Sequence, residues 1–172
     1  MMHVRPVCDL LEDLVYIEPL APELIERYLD LRDLKFFRGR DGDEFLLLMS
    51  GEQSRLHIHL QVSGRDRNLL AIRVSPVENY PAGERVRLME LVNEWNRDTH
   101  WPKAFVRETS NPAQVGVVGE NCYALKDGIH FEALARFIDY TFMGAFDLFD
   151  KIGQAIRLPS AHTLETWLRE AG

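Results

Sequence analysis

The chain predicts an α+β domain, a mainly antiparallel sheet with helices packed on it, in the order α-β-β-β-β-α-β-β-α. Three observations carry this. Strands and helices come in blocks, without the regular alternation that parallel crossovers need. "RLHIHLQV" alternates strictly between apolar and polar residues, the period of a strand with one buried face. Three other stretches repeat their apolar residues at three-to-four spacing, the period of an amphipathic helix.

The first helix is "APELIERYLDL". Pro22 occupies a favoured first helical position, and Leu24, Ile25, Tyr28 and Leu29 form the apolar stripe. "LKFFRGRDGDEFLLLM" follows as two apolar runs joined across Gly39 to Asp43. Asp41-Gly42 signals a hairpin turn, since glycine accepts the positive φ that such turns demand. A calcium loop would need further oxygen ligands at fixed spacing and a distal Glu, which "DGDE" lacks. In "RLHIHLQV", Leu56, Ile58, Leu60 and Val62 share one face, with Arg55, His57, His59 and Gln61 on the other. "SGRDRN" turns the chain, and "LLAIRVSPV" returns with Leu70, Ile72 and Val74 inward. The four strands form a meander.

"PAGERVRLMELVNEWNR" is the second helix, with Leu88, Met89, Val92 and Trp95, supported by Leu91, as its stripe. It leaves through "LVNEWNRDTHWP", where Pro102 disfavours helix at Trp101. Asn96, Asp98 and Thr99 are expected to hydrogen-bond the freed backbone of the last turn, with Trp95 and Trp101 as apolar walls. "KAFVRET", the turn "SNPA" and "QVGVVGENCYAL" make a second hairpin. The long helix "DGIHFEALARFIDYTFMGAFDLFDKIGQAI" turns Phe131, Leu134, Ile138, Phe142, Ala145, Phe149 and Ile152 to the core, with Asp127 or His130 expected to cap it. Phe137, Tyr140 and Leu148 form a surplus seam beside Gly144, the kind of surface that subunit interfaces use. "PSAHTLETWLREAG" reads as a short helix with Leu164, Trp167 and Leu168 on one side. The expected organisation is an N-terminal extension over 1–19, one domain over 20–158 and a C-terminal helix over 159–172.

Composition narrows the function. Of 172 residues 46% are hydrophobic and 27% charged, values of an ordinary folded domain. A net charge of −7 argues against nucleic acid as the partner, because phosphate binding needs a basic face. No apolar run approaches the roughly 20 residues that span a bilayer, and acids interrupt the apolar N-terminus where a signal peptide would be uniform. The two cysteines, Cys8 and Cys122, form no CxxC or metal-type cluster. Cytoplasmic residence is the expectation.

Candidate chemistry is sparse. His57 and His59 leave one face of a strand and suit chelation, but no spacing names a third ligand. No GxSxG elbow marks a serine. Cys122 and His130 stand eight residues apart without a motif, and "VGVVGEN" lacks the third glycine of a dinucleotide loop. Glu90 with Glu94, and Asp147 with Asp150, sit at the helical spacing of solvated faces. The Phe-rich last helix is also the spacing of core packing, ahead of an apolar-ligand carrier. No enzyme and no cofactor are expected. A small metal-binding enzyme or sensor using His57 and His59 is the alternative.

A helix with the Asn93 and Asn96 pair, then a hairpin, a glycine turn and a long apolar helix, resembles the bacterial YbjN family. "LVNEWNRDTHWPKAFV", "ALKDGIHFEALARFIDYTF" and "PELIERYLDLRDLKFFRGRDGDEFLLL" carry the likeness, which spans about residues 20 to 152. The resemblance implies a fold similar to type III secretion chaperones, a tendency to dimerise, a label as sensory transduction regulator and no catalytic residues. Joined to the residues, it leads us to expect a non-enzymatic, chaperone-like or regulatory module, active as a homodimer. Leu46 and Leu48 are apolar on the strand face shared with His57, His59 and Arg73. That face is expected to receive a protein or peptide partner.

Overall fold

The structure is a computed structural model that describes residues 16–156. Most of the N-terminal extension, with Cys8, and the helix expected over 159–172 lie outside the described residues. The elements are β1 (Ile17–Glu18), α1 (Pro22–Leu31), β2 (Phe36–Arg38), β3 (Glu44–Ser50), β4 (Arg55–Ser63), β5 (Leu69–Pro76) and β6 (Tyr80–Pro81). A 3-10 turn over Ala82–Glu84 leads to α2 (Arg85–Asp98), β7 (Lys103–Glu108), β8 (Gln114–Ala124), β9 (Ile129–His130) and α3 (Phe131–Ile156). The main sheet runs β2-β3-β4-β5-β8, with both β6 and β7 paired to β8, and every pair is antiparallel. β1 and β9 form a separate two-strand ribbon.

The α+β class and the order of the major elements are as the sequence predicts. The additions are three two-residue strands, too short to show any period. The hairpin between β2 and β3 turns at Gly42, whose φ of +77° suits glycine. The Gly39 N–H donates to the Glu44 carbonyl at 2.8 Å to close it.

Alternation decides the two faces of the sheet. Leu56, Ile58, Leu60 and Val62 are buried with Phe45 and Leu47 of β3 and Leu70, Ile72 and Val74 of β5. α1 adds Leu24, Ile25, Tyr28 and Leu29 to this core, and α3 adds Leu134, Ile138, Phe142, Ala145, Phe149 and Ile152. Each such side chain contributes about 1.5–3 kcal/mol on leaving water. The Tyr28 hydroxyl donates to Asp139 Oδ1 at 2.7 Å, and Arg32 also engages Asp139, so polar contacts tie α1 to α3.

Four expectations need correction. Leu148 is 1% exposed and belongs to the core. It lies three residues from Ala145 and four from Ile152, on the buried stripe. Met89 is 54% exposed, because α2 buries only the narrow line Leu88, Val92 and Trp95. Phe131 is only half-buried, its ring under the Arg27 guanidinium at 4.1 Å. The His130 ring is turned to the Tyr16 carbonyl, 3.2 Å from Nδ1, and does not cap α3.

Candidate functional site

The helices α1 and α3 pack on the inward face, and the outward face leaves several of its side chains exposed. Register aligns them in rows across the strands. Leu46 faces His59, which faces Arg73, which faces Glu120; beside it Leu48 faces His57, which faces Ser75. The five residues expected on this face from alternation therefore do share it. Leu46 is 47% exposed and Leu48 52%.

β7 completes the surface with two residues that sequence reasoning missed. Phe105, 44% exposed, and Arg107 point outward while Ala104 and Val106 turn in. A groove of about 440 Å³ results, lined by Leu46, His57, His59, Arg73, Phe105 and Arg107 among others. A Cβ built on Gly116 would meet the Arg107 Cγ and Nε at 3.1 Å, so the bare glycine lets Arg107 lie against β8. Beyond Phe105 the surface continues as a second hollow of about 490 Å³ bounded by His100, Trp101, Lys103 and Cys122.

The helix exit positions β7. Trp95 Nε1 donates to the Pro102 carbonyl at 2.7 Å. The Asn96 side chain donates to the Ala104 carbonyl at 2.8 Å and accepts from the Ala104 N–H at 2.9 Å. Asn96 thus reaches across to the next strand, not back to its own helix as expected. Asp98 instead pairs with Arg97, and Lys103 Nζ donates to the Asn96 and Thr99 carbonyls, both at 2.8 Å. Trp95 is buried but Trp101 is exposed, so only one wall closes the corner. Pro102 sits between two glycines, whose built Cβ atoms would meet its ring at 3.2 Å from Gly119 and 3.1 Å from Gly144.

Electrostatics separates these residues by role. Arg73 Nε donates to Glu120 Oε2 at 2.9 Å, and this hydrogen bond holds the Glu120 carboxyl below its ordinary range. Burial first, and then its hydrogen bond to Glu120, push the Cys122 thiol up. Thiolate formation is disfavoured there, the opposite of what a nucleophile needs. Cys122 and His130 are not joined by a hydrogen bond either: the thiol donates to Glu120, and His130 Nδ1 lies 3.2 Å from the Tyr16 carbonyl. His59 Nε2 is buried without a hydrogen bond, 3.7 Å from Glu44 Oε1. His57 and His59 share the face, but among the described residues no three His, Cys, Asp or Glu side chains are grouped to hold a metal. Arg73, opposite His59, adds a positive neighbour that a cation would have to tolerate.

The other candidates lie outside the lining of the groove. Asp150 accepts from the Ser54 hydroxyl at 2.7 Å. Phe137 stacks on Tyr123 at a centroid distance of 4.6 Å, and Tyr140 is exposed. With Leu148 in the core, the α3 seam loses a third of its residues. Asn121, which sequence reasoning passed over, is buried on the inward side of β8 and donates to the Thr141 hydroxyl at 2.9 Å. Thr141 in turn donates to the Phe137 carbonyl at 2.8 Å. Among the described residues no helix is long and apolar enough to cross a membrane.

Fold and groove together define an α+β domain whose antiparallel sheet carries helices inward and an open, partly basic face outward. Such a domain is recognised in comparison with known proteins. The chain belongs to the YbjN family, described as "Putative bacterial sensory transduction regulator", whose model matches residues 21–154. The crystal structure of E. coli YbjN, described as "a putative transcription regulator", is similar at a TM-score of 0.67 and 12% identity, over 83% of this chain and 97% of that one. An uncharacterized protein from Methanothermobacter thermautotrophicus is similar at a TM-score of 0.50 and 12% identity, over 80% of this chain and 99% of that one. At such identity the likeness shows the fold alone. No curated protein matches the sequence.

Proposed function

We propose that the chain is a non-enzymatic interaction domain, regulatory or chaperone-like, that takes a protein or peptide partner on the outward sheet face. The observation that carries this reading is the groove itself. Leu46, Leu48 and Phe105 leave apolar area in solvent around a hollow of about 440 Å³. Exposed apolar surface grouped in a concavity and rimmed by polar residues is characteristic of interaction sites. The family's description as a regulator agrees with this reading. The domain works in the cytoplasm as a homodimer, and light scattering coupled to size exclusion at micromolar concentration would return twice the chain mass; a monomer contradicts that part.

The test is differential capture from the host. Wild type, Phe105→Asp and Tyr140→Ser are immobilised in parallel and the retained proteins quantified by mass spectrometry. The reading expects at least one protein held by wild type and by Tyr140→Ser but lost with Phe105→Asp. Identical retention by all three would sink it.

A further inference from the structure

The charge of the groove runs against the charge of the chain. Asp and Glu outnumber Lys and Arg by 27 to 20 over the whole sequence. Yet the charged and titratable side chains lining the groove are Arg73, Arg107, His57 and His59. The carboxylates nearby stand beside them, Glu44 at 3.7 Å from His59 Nε2 and Glu120 paired with Arg73 at the rim. Arg107 forms no ion pair among the described residues. Arg107 lines the groove, its side chain lying along Gly116, on the strand that also presents Phe105. Apolar side chains therefore flank the groove on β3 and β7, with basic groups at Arg73 and Arg107 between and beside them.

We propose that the groove's partner is an acidic amphipathic segment, its carboxylates directed to Arg107 and Arg73 and its apolar side chains to Leu46, Leu48 and Phe105. This rests on the outward face being the partner-binding surface and adds the chemistry of what it accepts. A planar guanidinium takes a carboxylate through two parallel N–H donors, which gives orientation as well as attraction. A basic patch on an acidic chain also discriminates, since the rest of the surface repels the same acidic partner. A second copy laid face to face would bring one basic groove against another, so charge argues against self-association through this face.

Fluorescence anisotropy tests the proposal with two labelled probes, an amphipathic helical peptide of Leu and Glu and its counterpart of Leu and Lys. The full chain is expected to bind the Glu peptide at least about tenfold more tightly, with affinity falling as salt rises. Arg107→Glu should abolish that preference and Arg107→Lys should keep most of it. Equal binding of both peptides, or an unchanged preference in Arg107→Glu, overturns the acidic assignment. If Leu46→Asp still removes the binding of both, the face remains the binding surface and only the partner's charge is wrong. No binding by either peptide overturns the proposal, and differential capture then decides the fate of the face by itself. Self-association that Arg107→Glu abolishes overturns it in favour of a second copy.

Discussion

Asn96 and Ala104 exchange two hydrogen bonds, the side-chain amide of one serving both the N–H and the carbonyl of the other. An amide side chain thereby stands in for a neighbouring strand along this stretch of β7. It fixes the strand that carries Phe105 and Arg107 relative to α2.

Asn96→Ala removes both bonds beside the buried Ala104. Unsatisfied backbone groups cost about 1–3 kcal/mol each, so a loss of at least about 2 kcal/mol is expected in urea unfolding. Circular dichroism would keep its native form, because the core residues are untouched. A loss below about 0.5 kcal/mol, the range of an ordinary surface change, would mean that the clamp does not hold β7.

The division of the α3 seam gives a second test. Leu148→Ala creates a cavity in the core and should destabilise by about 2–5 kcal/mol. Tyr140→Ser, at an exposed position, should stay within about 0.5 kcal/mol of wild type. Comparable effects of the two substitutions would restore the reading of one continuous surface seam.

Alkaline stability follows from two buried phenols. Burial pushes the Tyr80 hydroxyl up to about 12, and burial with the nearby Asp139 carboxylate raises Tyr28 as well. A group whose folded value is raised binds its proton more tightly in the native state. Its contribution is complete below the unfolded value of about 10 and is lost as pH rises through the folded one. Urea unfolding should therefore show stability declining steadily from about pH 10 towards pH 12, by on the order of 2 kcal/mol for Tyr80. Tyr80→Phe should flatten part of that decline. A stability independent of pH over this window, or an unchanged slope in Tyr80→Phe, contradicts the assignment.

Local pattern revealed one half of the groove and hid the other. Leu46, Leu48, His57, His59 and Arg73 could be placed on one face because β3, β4 and β5 follow one another and alternate strictly. Phe105 and Arg107 join them only because β8 pairs with β5 across the intervening α2 and then places β7 beside it. That pairing is non-local. The alternation of Ala104 and Val106 with Phe105 and Arg107 was the signal available, and it gives the face of the strand without giving its neighbour. Asn96 was expected to bond locally, yet its partner stands eight residues on, across the corner. Asn121 was unmarked in "VGVVGEN" because its partner, Thr141, comes from another element. Leu148 was placed outside because α3 is apolar on more than one side, and periodicity alone does not choose the face that meets the sheet.

Site-specific photo-cross-linking in the host tests the outward face most directly. Benzoylphenylalanine is placed at position 105 in the groove and, separately, at position 140 on the exposed side of α3. The groove reading predicts a discrete adduct of higher mass from position 105, removed by Leu46→Asp in the same chain, and no such adduct from position 140. An adduct from position 140 with none from position 105 would contradict it and move the binding surface to α3.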